Sequence, residues 1–383
     1  MPRVQSARLT HDIDTDVLVV GAGISGALVA EALAGDYRVV VVDRRGAAKG
    51  ATPASTALVQ YEIDTPLTDL SRKIGTDAAG RAWRRSKLAL DSLGARTREL
   101  GIRCDRSEGD TLYLAGDKLD GHDLEAEGEA RRTIGFEVDF LSRRDLKERY
   151  GMDRQAALLS HGDFTLDPRR LTGGYLRAAI ANGARLHAPV EVTGIEAHRS
   201  GVSAATANGP TIQAHYAIFA TGYEVPKFVP RGGHRIVATY AIATRPQRRR
   251  LWPEEVLIWE ASDPYLYMRT TADGRVICGG EDEDFSDDET RDALIGKKAA
   301  AIGRKLHRLF PQLDVTPEFA WAGAFGTTAT GLPCIGRIRG RKNCWAILGF
   351  GGNGITYSRI AADIIRAALA GKSDPDADLY AFR

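Results

Sequence analysis

Cysteine is scarce in this chain, with four in 383 residues: Cys104, Cys278, Cys334 and Cys344. None has C-x-x-C spacing or paired histidines beside it, which argues against a disulfide framework or a metal site and leaves reduced, buried thiols as the expectation. The eight histidines are scattered, and there is neither a serine-nucleophile elbow nor a phosphate-binding Walker loop. No sign of charge is in excess. With 52 lysines and arginines against 50 aspartates and glutamates, nothing points to nucleic acid or an anionic membrane, and small molecules are the default ligands. A long hydrophobic run is missing too. The longest, Val17 to Ala30, is too short and too glycine-rich to cross a bilayer, and Asp12, Asp14 and Asp16 make it a poor signal peptide. The expectation is a cytoplasmic protein without a membrane span, its oligomeric state open to a homo-oligomer.

What the chain does have is a strand, a glycine turn and a small-residue helix in immediate succession. Val17 to Val20 is apolar, Gly21-Ala22-Gly23-Ile24-Ser25-Gly26 follows, and a helix is predicted from about Ile24 to Ala34. This is the pattern of a dinucleotide-binding turn. Gly21 permits the bend, Gly23 lets the backbone approach a pyrophosphate, and Gly26 lets the helix pack on its strand. The unpaired N–H groups and positive dipole end of that helix then stabilise the phosphates. A second strand, Arg38 to Val42, ends at Asp43, twenty-two positions beyond Gly21, the spacing of an acid that accepts from a ribose hydroxyl. Arg44 and Arg45 beside it are further candidate contacts.

The length suits two domains. After a loop of small and hydroxyl residues, Gly50 to Thr56, a helix is predicted from about Asp77 to Leu100, with Trp83, Leu90, Leu93, Thr97 and Leu100 on one side. Ser142 and Asp145 open a short helix that Gly151 ends, and Asp167-Pro168 opens another that reaches Ala181, with Gly183 beyond it. Strands are expected near Val190 to Ile195, Val202 to Ala207, Thr211 to His215 and Tyr216 to Gly222, then several long ones between His234 and Gly280. One helix is expected from Ser286 to Phe310, opened by Ser286 with Glu289 three residues later. A strand, a second glycine loop and a helix close the chain, from Ala346 to Ala370.

The second glycine loop decides between flavin and nicotinamide, since both cofactors present an ADP half to the first turn. FAD is long, and its ring needs a distant site that stabilises negative charge on the reduced form. Gly351, Gly352, Asn353 and Gly354 ahead of a helix supply N–H donors and a second positive helix end. With these residues in view, the chain resembles the D-amino-acid oxidase superfamily of FAD enzymes, in the branch of glycine oxidase and sarcosine oxidase. The resemblance rests on Asp16 to Gly26 with Asp43, Ala54-Ser55-Thr56, Asp167-Pro168, Ala220-Thr221-Gly222, Gly279 to Glu283, Gly331 to Gly336 and Gly349 to Thr356, in family order along nearly the whole chain.

The fold class it implies is α/β, or α+β overall: a Rossmann-like FAD-binding domain with an interleaved substrate domain on a large mixed antiparallel sheet. The corresponding division is residues 13–80, 142–225 and 321–372 for FAD, and 81–141 and 226–320 for substrate. The resemblance also implies Val190 against the adenine side and Gly351, Gly352, Asn353, Gly354, Ile355 and Thr356 beside the isoalloxazine. No cysteine lies where relatives attach flavin covalently, so noncovalent FAD is expected.

Enzymes of this kind oxidise a carbon–nitrogen bond of an amine or amino acid by hydride transfer to flavin N5, and the imine then hydrolyses. Substrate contacts are assigned to Trp259, Tyr265, Tyr267 and Arg269, the last three on one face by period-two spacing. Two departures from the family pattern stand out. Phe325 occupies the place of a carboxylate-gripping arginine, which favours an amine, or an amino acid held through Arg269. No lysine stands near the flavin in Arg275 to Gly280, so oxygen and another acceptor both remain open. The alternatives are a 2-hydroxy-acid dehydrogenase of the same fold and a flavoprotein subunit that serves a partner. Glu281 to Asp284 and Asp287 to Glu289 could bind a cation or a basic substrate, but are read as a solvated loop and an acidic helix start, and Arg248 to Arg250 as an exposed turn. Gln60 and Tyr61 are open to either substrate contact or core packing.

Overall fold

The computed structural model describes residues 3–230, 233–285 and 287–382. Strand β1 (Ile13–Val20), helix α1 (Ile24–Leu33) and strand β2 (Val39–Val42) form the expected unit. Val17, Leu18 and Val19 of β1 are fully buried, and β2 is four buried valines, the β-branched run of a sheet covered on both faces. β1 pairs in parallel with β2 on one side and with Thr211–Phe219 on the other. Arg185–His187 extends this order beyond β2, and Cys344–Leu348 extends it beyond Thr211–Phe219, again in parallel. Because the chain leaves β1 toward β2 and later returns on the opposite side, a crevice opens at the carboxyl end of β1.

The antiparallel strands Val192–Ala197, Val202–Thr206 and Cys334–Arg337 complete this sheet of eight. Helices Thr76–Glu99, Pro168–Ala181 and Gly354–Leu369 share one hydrophobic core with α1 and β1. Ser142 and Asp145 form a reciprocal cap, Gly151 takes the left-handed conformation at φ 70°, and Asp167 accepts from the N–H groups of Arg169 and Arg170. Among the described residues, no helix is long and apolar enough to cross a membrane.

A second sheet of nine strands runs Pro317–Thr327, Arg235–Thr244, Val276–Glu283, Leu266–Thr270, Leu257–Glu260, Ser107–Leu114, Ala156–Thr165 and Leu58–Val59, with Val138–Ser142 paired to Ala156–Thr165. It is antiparallel except where Leu257–Glu260 meets Ser107–Leu114. Helix Ile295–Leu309 covers one face through Ala299, Ile302, Leu306 and Leu309.

Several expectations shift. Leu58–Val59, Ala156–Thr165 and Pro317–Thr327 pair in this second sheet, although the sequence division put most of their residues in the FAD segments. Each is a strand whose partner lies far along the chain, so local composition does not reveal its sheet. Thr211 to Phe219 is one strand, not two, because Thr211 to Ala214 continue the pairing to β1 while also pairing with Val202–Thr206. The helix expected from Ser286 is two helices, Asp288–Ala293 and Ile295–Leu309, the first capped by Asp287, which accepts from the Thr290 N–H. Ser286 itself lies outside the described residues. No disulfide joins the four cysteines, and Cys334 is half-buried where burial was expected.

Candidate active site

One cavity of about 1010 Å³ runs from the β1–α1 turn to the inner face of the second sheet, at the upper limit of the ~300–1,000 Å³ usual for small-molecule sites. At its first end, Gly21 has φ 115°, and a Cβ there would stand 2.2 Å from the Ala220 carbonyl oxygen. The Gly21 N–H donates to the Val42 carbonyl at 2.8 Å, which seats the turn between two parallel strands. α1 then begins with Gly23 as an N-cap that has no side-chain cap and with no acid in its first turn, so its positive end meets the cavity unneutralised. One donor is already occupied, since the Ile24 N–H donates to Thr52 Oγ1 at 3.1 Å. Ser25 lines the cavity, and its hydroxyl bonds Ser358 on helix Gly354–Leu369 at 2.8 Å.

Asp43 lines the same end and accepts three backbone N–H groups: Ala22 at 2.8 Å, Arg45 and Gly46 each at 2.7 Å. The expected ribose acceptor is therefore also the brace of the turn. Arg44 and Arg45 both pair with Glu224, at 2.5 and 2.7 Å, and all three line the cavity together with Val190, Ala220, Thr221 and Gly222. Thr221 Oγ1 is buried with no hydrogen-bond partner, an orphan that a ligand hydroxyl or phosphate would satisfy. Two expected contacts move out of the wall. Ala22 is fully buried, and Gly26 faces Gly21, where a Cβ would meet the carbonyl oxygen at 1.8 Å. They shape the turn and do not line the cavity.

At the other end, Gly351, Gly352, Asn353, Gly354, Ile355 and Thr356 line the cavity. The segment after Leu58–Val59 ties this turn down. The Gln60 carbonyl accepts from Thr356 Oγ1 at 2.9 Å, the Glu62 carbonyl from Asn353 Nδ2, and Asp64 Oδ2 from the Gly352 N–H at 2.7 Å. Asp64 lines the cavity, and enclosure by protein raises its carboxyl above the usual range. The loop at Ala54, Ser55 and Thr56 forms a further wall. It is anchored to the second sheet by Trp321 Nε1, which donates to the Ala54 carbonyl at 2.9 Å, and by Arg269 Nε, which donates to the Thr56 carbonyl. A dinucleotide fits this arrangement: a glycine cradle and uncapped helix end at one pole, a second glycine turn at the other, and an orphan hydroxyl between.

The second sheet supplies Trp259, Tyr265, Tyr267, Thr239 and Phe325. A cross-strand row explains the grouping, because Tyr113 stands opposite Trp259, Trp259 opposite Tyr267, and Tyr267 opposite Gly279. Trp259 stacks on Tyr113 with centroids 3.9 Å apart. The Tyr267 ring leans over Gly279, where a Cβ would come within 2.4 Å of it, and its hydroxyl lies 3.3 Å from Thr239 Oγ1. Tyr265 and Tyr267 have centroids 5.5 Å apart.

Arg269 is a correction. It is buried outside the cavity wall, and its guanidinium donates to the carbonyls of Thr56, Thr270 and Leu166. Burial lowers it to about 10. It holds the loop at Thr56 instead of facing the cavity. Replacing Arg269 with Met is expected to lower unfolding free energy by about 1–3 kcal/mol, by stranding buried carbonyls, and to weaken FAD retention. KM in fully loaded protein should stay within twofold (roughly, since no substrate group is lost), and urea unfolding with flavin titration checks both.

Residues that the sequence reading left open or passed over complete the site. Tyr61 belongs to the core, stacked on Phe136 at 5.1 Å, whereas Gln60 lines the cavity. Glu62 accepts from Trp259 Nε1 at 3.1 Å and pairs with Arg131. Arg131 also pairs with Glu127 at 2.9 Å, and all three side chains are fully buried. Asp163 is raised well above the carboxylate range by burial and by the neighbouring Glu62 charge. The acidic run at Glu281 is not a solvated loop, because Glu281 to Glu283 end strand Val276–Glu283. Asp282 there is pushed up to about 6 by burial, while hydrogen bonds from Thr239 and Tyr265 oppose the rise.

Comparison with known proteins accords with this geometry. The family model DAO, FAD dependent oxidoreductase, matches residues 16–368. The chain is 25% identical over 378 residues to gamma-glutamylputrescine oxidoreductase of Escherichia coli, covering 96% of this chain and 86% of that one. Glycine oxidase from Geobacillus kaustophilus superposes with a TM-score of 0.81 at 21% identity, over 98% of this chain and 99% of the other. L-alpha-glycerophosphate oxidase from Mycoplasma pneumoniae, solved with FAD bound, gives 0.77 at 17% identity over 95% and 97%.

Proposed function

Because the chain belongs to the DAO family of FAD-dependent oxidoreductases, we propose that it oxidises a carbon–nitrogen bond of an amine or amino acid to an imine, which water then hydrolyses. The observation that carries this reading is continuity: a single cavity joins the dinucleotide turn, the second glycine turn and an aromatic end. The names of the relatives agree, since one acts on gamma-glutamylputrescine and another on glycine.

FAD held there would supply the hydride acceptor for oxidation of the carbon that bears nitrogen. The protein binds, orients and excludes water. Gly23 and the first N–H groups of α1 would hold the pyrophosphate, Asp43 the ribose and Val190 the adenine side. Gly351 to Thr356 would face the ring, where N–H donors stabilise developing negative charge. Trp259, Tyr265, Tyr267 and Phe325 would enclose the substrate, and Thr239 and Tyr267 bring hydroxyls to that apolar wall. With Arg269 turned to main-chain carbonyls, the described residues that line this end include no arginine to pair with an α-carboxylate.

Anaerobic bleaching of the flavin in purified protein tests the reading against a panel of amines, amino acids and 2-hydroxy acids. Reduction by nitrogen compounds, with ammonia, an amine or an aldehyde as product, is the expected result. Reduction by hydroxy acids alone would overturn it. Turnover of the isolated chain with oxygen or an artificial dye further separates an enzyme from a subunit that needs a partner.

A further inference from the structure

The cavity has carboxylates at both ends, but one of them stands apart from the rest. Among the described residues that line it, Asp43, Glu191 and Glu224 gather around the β1–α1 turn with Arg44, Arg45 and Lys227. Asp64 is the one carboxylate at the second glycine turn, where no described lysine, arginine or histidine lines the wall. Its placement is fixed by contacts with that turn. The Gly352 N–H donates to Oδ2 at 2.7 Å, a Cβ at Gly351 would collide with Oδ2, and a Cβ at Gly352 would stand 2.9 Å from Oδ1. Two residues without side chains thus leave room for the carboxylate. Oδ1 has no hydrogen-bond partner among the described residues, and the side chain is open to the cavity.

An aliphatic amine arrives near neutral pH as an ammonium, as the lysine side chain shows. Hydride leaves the adjacent carbon only when a lone pair on nitrogen can form the imine, so one proton must go first. Burial pushes the phenols of Tyr223, Tyr265 and Tyr267 up, so all three keep their protons, and the other polar side chains lining this end are hydroxyls and amides. We propose that Asp64 is a catalytic residue of this oxidation: its Oδ1 pairs with the substrate ammonium and accepts one of its protons, leaving a neutral amine beside a neutral acid. In that step the N–H bond breaks, its electron pair stays on nitrogen, and an O–H bond forms on Asp64. The pair of the C–H bond then leaves as hydride to FAD, the oxidant of the reading above, and Asp64 returns its proton to water as the imine departs. Removal from water favours the transfer, because the neutral pair loses less hydration than the charged one. Enclosure by protein acts on Asp64 in that direction, and the Gly352 N–H opposes it. The titratable groups that sense the Asp64 charge are the phenols of Tyr223, Tyr265 and Tyr357 and the carboxyl of Asp282, none of them a cation. The inference rests on the carbon–nitrogen reading above and supplies its proton acceptor.

The test is the rate of anaerobic flavin bleaching in FAD-loaded protein from neutral pH up to about 10, the range of an amine pKa. The probe is the nitrogen compound that bleaches fastest in the panel above, at saturating concentration. With an acceptor in the complex, the bound ammonium loses its proton at any of these pH values, so the parent rate should be level. Asp64→Asn has no acceptor, and its rate should fall about tenfold per pH unit below the amine's own pKa. Near neutrality that leaves about a hundredth of the parent rate or less, whereas the two should meet at the alkaline end. Asp64→Glu should keep part of the parent rate. A purely structural role would instead lower the rate by the same factor at every pH. Sulfite, which adds to the flavin ring as an anion, reads the same charge without substrate: Asp64→Asn should bind it about tenfold tighter than the parent at about pH 8, the scale of one neighbouring charge. A parent rate that itself falls tenfold per unit, an Asp64→Asn rate that runs parallel to the parent, or equal sulfite affinities overturn the inference and leave the carbon–nitrogen reading standing. The first of these needs no variant, so it decides the matter even if the chain does not fold without Asp64. If no nitrogen compound bleaches the parent flavin, the carbon–nitrogen reading falls, and this inference with it.

Discussion

Gly26→Ala protein should emerge from purification colourless, with FAD content at roughly a tenth of the parent or less, since the clash lies in backbone. An added Cβ would stand 1.8 Å from the Gly21 carbonyl oxygen, 2.9 Å from its carbon and 3.4 Å from Val19 Cγ1. The first two contacts are main chain and cannot yield by rotating a side chain. α1 must therefore lift from β1, which moves the N–H groups of its first turn away from the phosphate position and pulls Gly21 from between Val42 and Ala220. Overpacking of this kind costs about 1–3 kcal/mol in stability alone. The loss of cofactor then adds to it, because FAD binds only the folded chain. Gly35, just past the same helix, is the control, since a Cβ there meets nothing within 4 Å. Gly35→Ala should keep full colour and melting temperature. The ratio of flavin to protein absorbance after gel filtration checks both variants, and a yellow Gly26→Ala protein would contradict the packing described here.

The parts of the fold read correctly in advance are those whose cause lies within a few residues. The β1–α1 turn follows from glycine spacing, the helix Pro168–Ala181 from Asp167 and Pro168, and the end of Arg143–Tyr150 from Gly151. Arg269 shows where local pattern stops. Period two gives the face of a strand but not the position along it, and two residues further means about 6.7 Å. That distance carries Arg269 past the cavity and under the Thr56 carbonyl, which belongs to a loop 213 positions away in sequence. The acidic run at Glu281 departs from its reading for a related reason. A run of four acids reads as a solvated loop, yet the end of a strand sends Glu281 and Glu283 to lysines on Ile295–Leu309 and leaves Asp282 by the tyrosines. Glu62 lies 197 positions from Trp259 and 69 from Arg131, so no window along the chain could join them.

That last cluster carries the second large expected effect. Arg131→Met should lower the unfolding free energy by about 3–5 kcal/mol, the cost of removing one partner from a buried ion pair. The guanidinium serves two fully buried carboxylates at once, Glu62 and Glu127, and lies over the Trp83 ring at 4.6 Å. Methionine keeps the volume and the apolar contact but leaves two acids facing each other without a cation. Burial already pushes Glu127 upward, and the Arg131 charge with the Thr68 and Leu67 N–H groups reverses it, holding the carboxyl below its ordinary value. A group depressed in the folded state contributes stability above its unfolded pKa and loses it as pH falls through the folded one. The parent should therefore be destabilised below about pH 4, the ordinary glutamate range, and Arg131→Met should lose that acid dependence along with its stability. Lysine is no substitute, because a single ammonium cannot present the planar fork that reaches both acids. Arg143, paired with Asp153 on the surface with both side chains two-thirds exposed, provides the contrast. Arg143→Met should leave the urea midpoint unmoved, as exposed pairs do. The effect also reaches the active site, since Glu62 receives the Trp259 indole N–H and its carbonyl holds Asn353 in the second glycine turn. An Arg131→Met protein that unfolds at the parent's urea concentration would show that the triad is not the link between the aromatic wall and the cofactor turn.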